Sequence, residues 1–304
     1  MAIYVLRRLG MSVLVMVAVL VLVFIATRLI GDPVNLMLPA DSTEIQRATL
    51  REHYGLDDPV LVQFWDFMTG AVRGDFGDSL YQGVPALGVA WSHMPATLLL
   101  TSATLLWVVP FALLFGAIAA RRRGSPADRA VGGVSLVALA TVDFVLAILL
   151  ILVFAVNLGW FPTSGYGGLA FLVLPALALG ARPFGRITQV TRATVGEELD
   201  KPYVLTARAK GVGERRRLGS HVLRNAAIPV IALTGAETVG LINGAIIVET
   251  IFGWPGVGNL LIEAIQTRDL PMIEAVVFVT AIFVLAVNLL VDLSYAWFNP
   301  RLRT

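Results

Sequence analysis

Two carboxylates stand where a charge is costly. Asp143 and Glu237 each fall inside a long apolar run, and an ionised side chain in the hydrocarbon core is tolerated only when it is neutralised, paired or wetted. Two readings stay open: a protonated or hydrogen-bonded carboxyl at a helix interface, or a side chain lining the path of a solute. Glu237 suits the second better. It lies near the middle of its run beside Gly235 and Gly240, small residues that let helices approach closely. Asp292, near the inner end of the last apolar run, is expected to pair with a cytoplasmic arginine.

Other chemistries are poorly served. The chain has no cysteine, so it offers neither a thiolate nucleophile nor a disulfide. Its three histidines, His53, His93 and His221, lie on separate segments, so no metal site and no catalytic residue is expected. Asp75-Phe76-Gly77 spells a kinase magnesium motif, but the glycine-rich loop, catalytic aspartate and paired lysine that give it meaning are missing. Gly253, Gly256 and Gly258 follow an apolar run rather than a strand, which makes them a tight turn and not a phosphate cradle. A phosphate-binding loop ending in Gly-Lys-Ser or Gly-Lys-Thr is absent, which puts ATP hydrolysis by that route on some other chain.

The elements that carry these residues are membrane helices. The composition is 57% hydrophobic and 14% charged, against about 25% charged for a soluble domain, and the mean hydropathy is +0.79. A span needs roughly 20 apolar residues, because in lipid each backbone amide must be satisfied within its own helix. Six segments qualify, about 9–30, 96–120, 130–156, 168–187, 226–248 and 275–297. The first follows Arg7 and Arg8 as a secretory signal would, but it is too long for a signal core and ends without small-x-small spacing. The fourth carries Pro175 and Pro183 and runs into Arg182 and Arg186, so a kinked or interfacial end is expected.

Basic residues mark the cytoplasmic side. With the N-terminus inside, 18 of the 23 Lys and Arg residues fall on inner segments, Arg182 and Arg186 among them. The orientation is N-in and C-in, and the chain reads as one domain. In the external segment 31–95, Asp41 and Glu44 have capping-box spacing ahead of a helix that Gly55 can close. Asp58-Pro59 opens a second helix, whose Leu61, Phe64, Trp65, Met68 and Val72 share a face suited to the membrane surface or to the bundle.

The inner connection, 188–225, has its own helical grammar. Asp200 can cap a short helix with Pro202 in its first turn, Tyr203 to Lys210 form the body, and Gly211 can adopt the left-handed terminating conformation. A second helix follows Gly213 and returns to the membrane near Pro229. Orientation and lipid head groups alone ask only for positive charge, whereas this segment is a capped hairpin.

Its residues carry a resemblance. Asp200-Lys201-Pro202-Tyr203, Thr206-Ala207-Arg208-Ala209-Lys210-Gly211, Leu223-Arg224-Asn225-Ala226 and Pro229 resemble the coupling loop of binding-protein-dependent ABC importer permeases. Nearly the whole chain shares the likeness, most closely to the first permease subunit of the dipeptide, oligopeptide, glutathione and nickel group. It includes Arg7-Arg8-Leu9, Gly31-Asp32-Pro33, Gly74-Asp75-Phe76-Gly77, Phe252-Gly253-Trp254-Pro255-Gly256-Val257-Gly258 and Arg268-Asp269-Leu270-Pro271. The Glu-Ala-Ala of the superfamily motif is not literal, since Leu205-Thr206-Ala207 stand at that spacing, so its glutamate contact is not carried over.

The resemblance implies an all-α, polytopic fold of the type I importer permease class in the plasma membrane of a prokaryote. It implies that residues 200–211 dock on a separate ATPase, one of two ATPase subunits or domains that hold ATP and magnesium, while this chain binds no cofactor. It further implies a second homologous permease and an extracytoplasmic solute-binding protein. That protein is expected to contact Asp75, Phe76 and Gly77 and the turn of Gly253, Trp254, Pro255 and Gly256, with no nucleic acid involved. A carboxylate at Glu237 could then meet a peptide amino terminus. The rival class, an ion-coupled secondary transporter or channel using Asp143 and Glu237, leaves the capped hairpin unexplained.

Overall fold

A computed structural model describes residues 2–29, 34, 43–45, 48, 51, 57–211, 213, 216 and 222–298. The regular structure in them is helical: α1 (Ala2–Leu29), α2 (Val60–Arg73), α3 (Ala86–Arg121), α4 (Pro126–Ala140), α5 (Asp143–Leu150) continuing as a π-helical stretch (Ile151–Asn157), α6 (Leu169–Leu199), α7 (Pro202–Ala209), α8 (Leu223–Phe252), α9 (Val257–Thr267) and α10 (Leu270–Phe298). Most of the helix expected between Asp41 and Gly55, and most of the segment from 212 to 221, lie outside the described residues, as does the side chain of Asp292. Among the described residues five helices are long and apolar enough to cross a membrane, and the bent pair α4 and α5, counted as one span, makes a sixth.

That bent pair corrects the uninterrupted helix expected over 130–156. The two halves meet at 106°. Thr141 and Val142 are both extended there, with ψ of 135° and 131°, and the Thr141 hydroxyl donates to the Val137 carbonyl at 2.7 Å. The β-branched pair is comfortable in extended backbone, and Asp143 opens the next helix in its first turn, where a carboxylate complements the helix dipole. The fourth span is corrected in the other direction: α6 runs unbroken through Pro175 and Pro183 to Leu199. At 31 residues it is about 46 Å long, well beyond a hydrocarbon core of about 30 Å, so its last turns project from the bilayer. Arg182 and Arg186 therefore lie within the span and not on the inner side where the charge count places them. Sixteen of the 23 basic residues remain inside without them, and the orientation is unchanged.

The chain gathers into two compact units, residues 1–96 with 255–286 and residues 97–254 with 287–304. In the first, α2 packs on α1 through Phe64 and Phe67, whose rings lie 5.3 and 5.7 Å from Phe24. The face expected for α2 is split by this packing: Leu61, Trp65 and Val72 stay 82%, 68% and 85% exposed, an apolar surface suited to the membrane interface. In the second unit α8 and α4 both pack extensively on α6, and α5 touches both α6 and α8. The α4–α6 crossing is close enough that a Cβ on Gly185 would fall 2.5 Å from the Ser135 carbonyl oxygen. Trp107 of α3 donates its indole N–H to the Ala176 carbonyl of α6 at 3.0 Å.

Candidate functional site

At the inner end, α6 turns into α7 through residues already engaged with their neighbours. Asp200 is the last residue of the α6 turn, and its carboxylate accepts from Arg123 Nη1 at 2.7 Å. It does not cap α7 with its side chain, as the spacing suggests. The Lys201 carbonyl takes that place, accepting from the amides of Val204 and Leu205 at 3.0 and 3.4 Å, while Pro202 brings a preset φ and no orphan N–H to the first turn. The helix ends as expected: Lys210 N–H bonds the Thr206 carbonyl at 3.0 Å, and Gly211 takes φ of 76°.

Glu198 is the hub beneath α7. Nine-tenths buried, it accepts from Lys201 Nζ and from the Tyr203 hydroxyl at 2.5 Å, and Asn225 of α8 donates to that hydroxyl at 3.1 Å. The Lys201 ammonium is raised above its ordinary pKa chiefly by the Glu198 hydrogen bond. The Tyr203 phenol is raised first by burial and then by the same carboxylate. Val204 is buried with Ala120, Val195, Val222 and Ala226. One side of α7 is thus sealed against three membrane helices, while Leu205, Thr206, Ala209 and Lys210 face outward. Ala207 is half-buried.

Within the membrane the two predicted carboxylates come together. Asp143, Glu237, Arg182, Arg186 and Gly240 share one cavity of about 260 Å³ between α5, α6 and α8. Arg186 Nη1 bonds Glu237 Oε1 at 2.9 Å. Arg182 and Asp143 form no ion pair among the described residues. Gly235 is pressed against Val291, where a Cβ would come within 2.3 Å of a methyl carbon, whereas a Cβ on Gly240 would meet nothing within 4 Å. Of the two glycines flanking Glu237, one serves helix approach and the other opens the cavity wall.

The outer turns are built more tightly than contact surfaces are. Phe76 is buried beneath Phe67 and Phe278, with ring centroids 6.2 and 4.9 Å away, and Trp254 is 1% exposed against Tyr166. Gly256 is buried at the start of α9. All three are covered within their own units, which makes them supports of these turns. Pro255 is half-buried, and Asp75, Gly77 and Gly253 remain exposed. Two buried acids fasten their surroundings, Asp269 at the outer turn and Glu249 between α8 and α3. Asp269 accepts from the Ser79 hydroxyl at 2.5 Å and from the amides of Leu80 and Met272. Glu249, fully buried, accepts from Thr97 at 2.6 Å.

Five apolar helices of spanning length with a bent pair beside them, an anchored inner knuckle and a charged cavity mark a multi-pass membrane protein. The chain belongs to the family of binding-protein-dependent transport system inner membrane components, matching the family's main model over residues 112–304 and its N-terminal model over residues 1–106. These are the membrane permeases of ABC importers. The chain is 35% identical to the oligopeptide transport system permease protein AppB of Bacillus subtilis, over 99% of both chains. It is 38% identical to the glutathione transport system permease protein GsiC of Escherichia coli K12, over 99% of this chain and 98% of that one. A crystal structure of an amino acid ABC transporter with histidines shares the fold, with a TM-score of 0.55 and 18% identity over 69% of this chain and 94% of that one.

Arg182, Arg186, Glu198 and Arg123 are the residues that reading the sequence for function passed over. The i, i+4 spacing of Arg182 and Arg186, which puts both on one helix face, was the available signal.

Proposed function

We propose that this permease forms half of a translocation pathway for peptides or related small solutes, and that α7 is the handle through which a separate ATPase moves it. What carries this reading is the anchoring of α7: its inner side is tied by Glu198, Lys201, Tyr203, Asn225 and the Arg123–Asp200 pair, and its outer side is bare. A helix so held transmits a push, where a loose loop would absorb it. In this reading ATP and magnesium belong to two ATPase subunits or domains, and the chain itself catalyses nothing. A second homologous permease completes the pathway. A solute-binding protein meets the outer surface at Asp75, Gly77 and Gly253, and Asp143 and Glu237 line the route. That AppB is an oligopeptide permease and GsiC a glutathione permease supports oligopeptides or glutathione as the solute class, and the bacterial source of these relatives supports the plasma membrane of a prokaryote.

The absence of cysteine makes the test clean. Thr206→Cys and Lys210→Cys, each paired with a single cysteine on the ATPase, are expected to crosslink in membranes with a yield that changes on adding ATP. Uptake into proteoliposomes by this chain alone, driven by an ion gradient, would overturn the proposal, as would no crosslink at any α7 position.

A further inference from the structure

We infer that the cavity between α5, α6 and α8 is a binding site for the charged ends of a zwitterionic peptide, with Arg182 taking its free carboxylate and Asp143 its ammonium group. The inference rests on the reading that Asp143 and Glu237 line the solute pathway, and it adds what the cavity recognises.

Four ionisable side chains of both signs line one cavity within the span, an arrangement that hydrocarbon surroundings permit only if each charge has a partner or water. Arg186 and Glu237 partner each other at 2.9 Å. Arg182 and Asp143 are left over, one cation and one anion on opposite helices, with neither in an ion pair among the described residues. A solute that carries one charge of each sign completes both partnerships, and a solute with a single charge completes one.

The shapes agree. A guanidinium presents a rigid fork that fits a carboxylate with two parallel hydrogen bonds, and its exposed position on α6 leaves the fork free to do so. Gly240 lines the cavity with no side chain, and a Cβ there would meet only open space, so peptide backbone can lie along α8. At about 260 Å³ the cavity sits at the lower edge of small-ligand sites, which run from about 300 to 1,000 Å³. It has room for a short peptide's backbone but little for reading side chains, which suits a site that accepts many sequences through the two termini all peptides share.

The test uses Ala236→Cys, a position on the cavity wall, in the assembled importer without its binding protein, and follows modification by a cationic methanethiosulfonate. Saturating trialanine is expected to slow labelling by roughly fivefold or more, while trialanine amide and N-acetyl-trialanine protect far less. Arg182→Gln is expected to abolish the protection and Arg182→Lys to keep part of it, with ATPase activity in each variant checking assembly. No protection by trialanine, or equal protection by its amide, overturns the site while leaving the pathway reading intact. A cysteine that never reacts, or one whose modification leaves uptake unchanged, overturns the pathway reading and this proposal with it.

Discussion

The inner knuckle and the intramembrane cavity use the same side chains to opposite ends. Around α7, carboxylates, bases and a phenol are matched to one another: Glu198 serves both Lys201 and Tyr203, and Arg123 closes on Asp200 at 2.7 Å. In the cavity, one pair is closed and one cation and one anion stand apart. On the proposed reading, the difference separates a part that keeps its shape while force passes through it from a part that changes partners as a solute passes. Charges committed to each other stiffen; charges left uncommitted select.

The comparison breaks most completely at Gly211. Its φ of 76° is closed to proline, whose ring holds φ near −65°, and such a mismatch costs about 3 kcal/mol, close to a hundredfold in the population of correctly formed α7. Gly211→Pro is expected to reduce solute uptake by about that factor or more while membrane insertion, measured by fractionation, is retained. Gly211→Ala, which costs only about 1–2 kcal/mol in left-handed backbone, should fall between. Wild-type uptake in the proline variant would remove the mechanical role of α7.

Glu198→Ala comes next. It strips the acceptor from Lys201, Tyr203 and Asn225, so coupled uptake should drop about tenfold while ATP hydrolysed per solute moved rises. The second readout matters, because a merely destabilised protein loses both activities together. The network should also be flat with pH across the neutral range: Lys201 and Tyr203 both have raised pKa values, so their stabilisation is complete below about pH 10 and is lost only as pH climbs beyond it.

In the cavity, Glu237→Gln keeps the shape and removes the charge that Arg186 answers. Because Arg186 is 58% exposed and water screens it, the change in assembly should be small, and uptake should change by a few-fold with preference shifting toward solutes carrying a net negative charge. Unchanged uptake and unchanged preference would return Glu237 to a structural role.

Much of this was legible in the residues, for reasons that differ by region. The spans declare themselves because lipid enforces an apolar length, and α7 declares its end because Gly211 is the residue that left-handed backbone favours. The break at Thr141 and Val142 was hidden, since both are apolar enough to pass for helix in a span and no proline or glycine marks the bend. Arg182 and Arg186 were misassigned because a basic residue near a helix end looks like topology, and only the unbroken run of α6 past two prolines moves them into the membrane. The burial of Phe76 and Trp254 was hidden because an aromatic in a glycine-rich turn has the same composition whether it faces out or in. Packing decides that, and packing depends on residues far away in the chain, such as Phe278 against Phe76.

The smallest effect lies at the outer clasp, which resembles the knuckle in kind but is redundant. Asp269, 2% exposed, holds Ser79 by its hydroxyl at 2.5 Å, yet it also accepts from the amides of Leu80 at 3.1 Å and Met272 at 3.2 Å. Ser79→Ala removes one of these partners and frees the Gln82 amide that the hydroxyl accepts from at 2.9 Å, a loss of about 1 kcal/mol confined to the turn. Hydrogen exchange of the Ser79 and Gly83 amides, both of which bond within the turn, should quicken by roughly fivefold, while uptake stays within about twofold because the amides of Leu80, Tyr81 and Met272 still hold the carboxylate. A fall in uptake as large as that of Glu198→Ala would mean that the outer clasp also transmits force, and the contrast between a stiff inner handle and a merely well-tied outer turn would no longer hold.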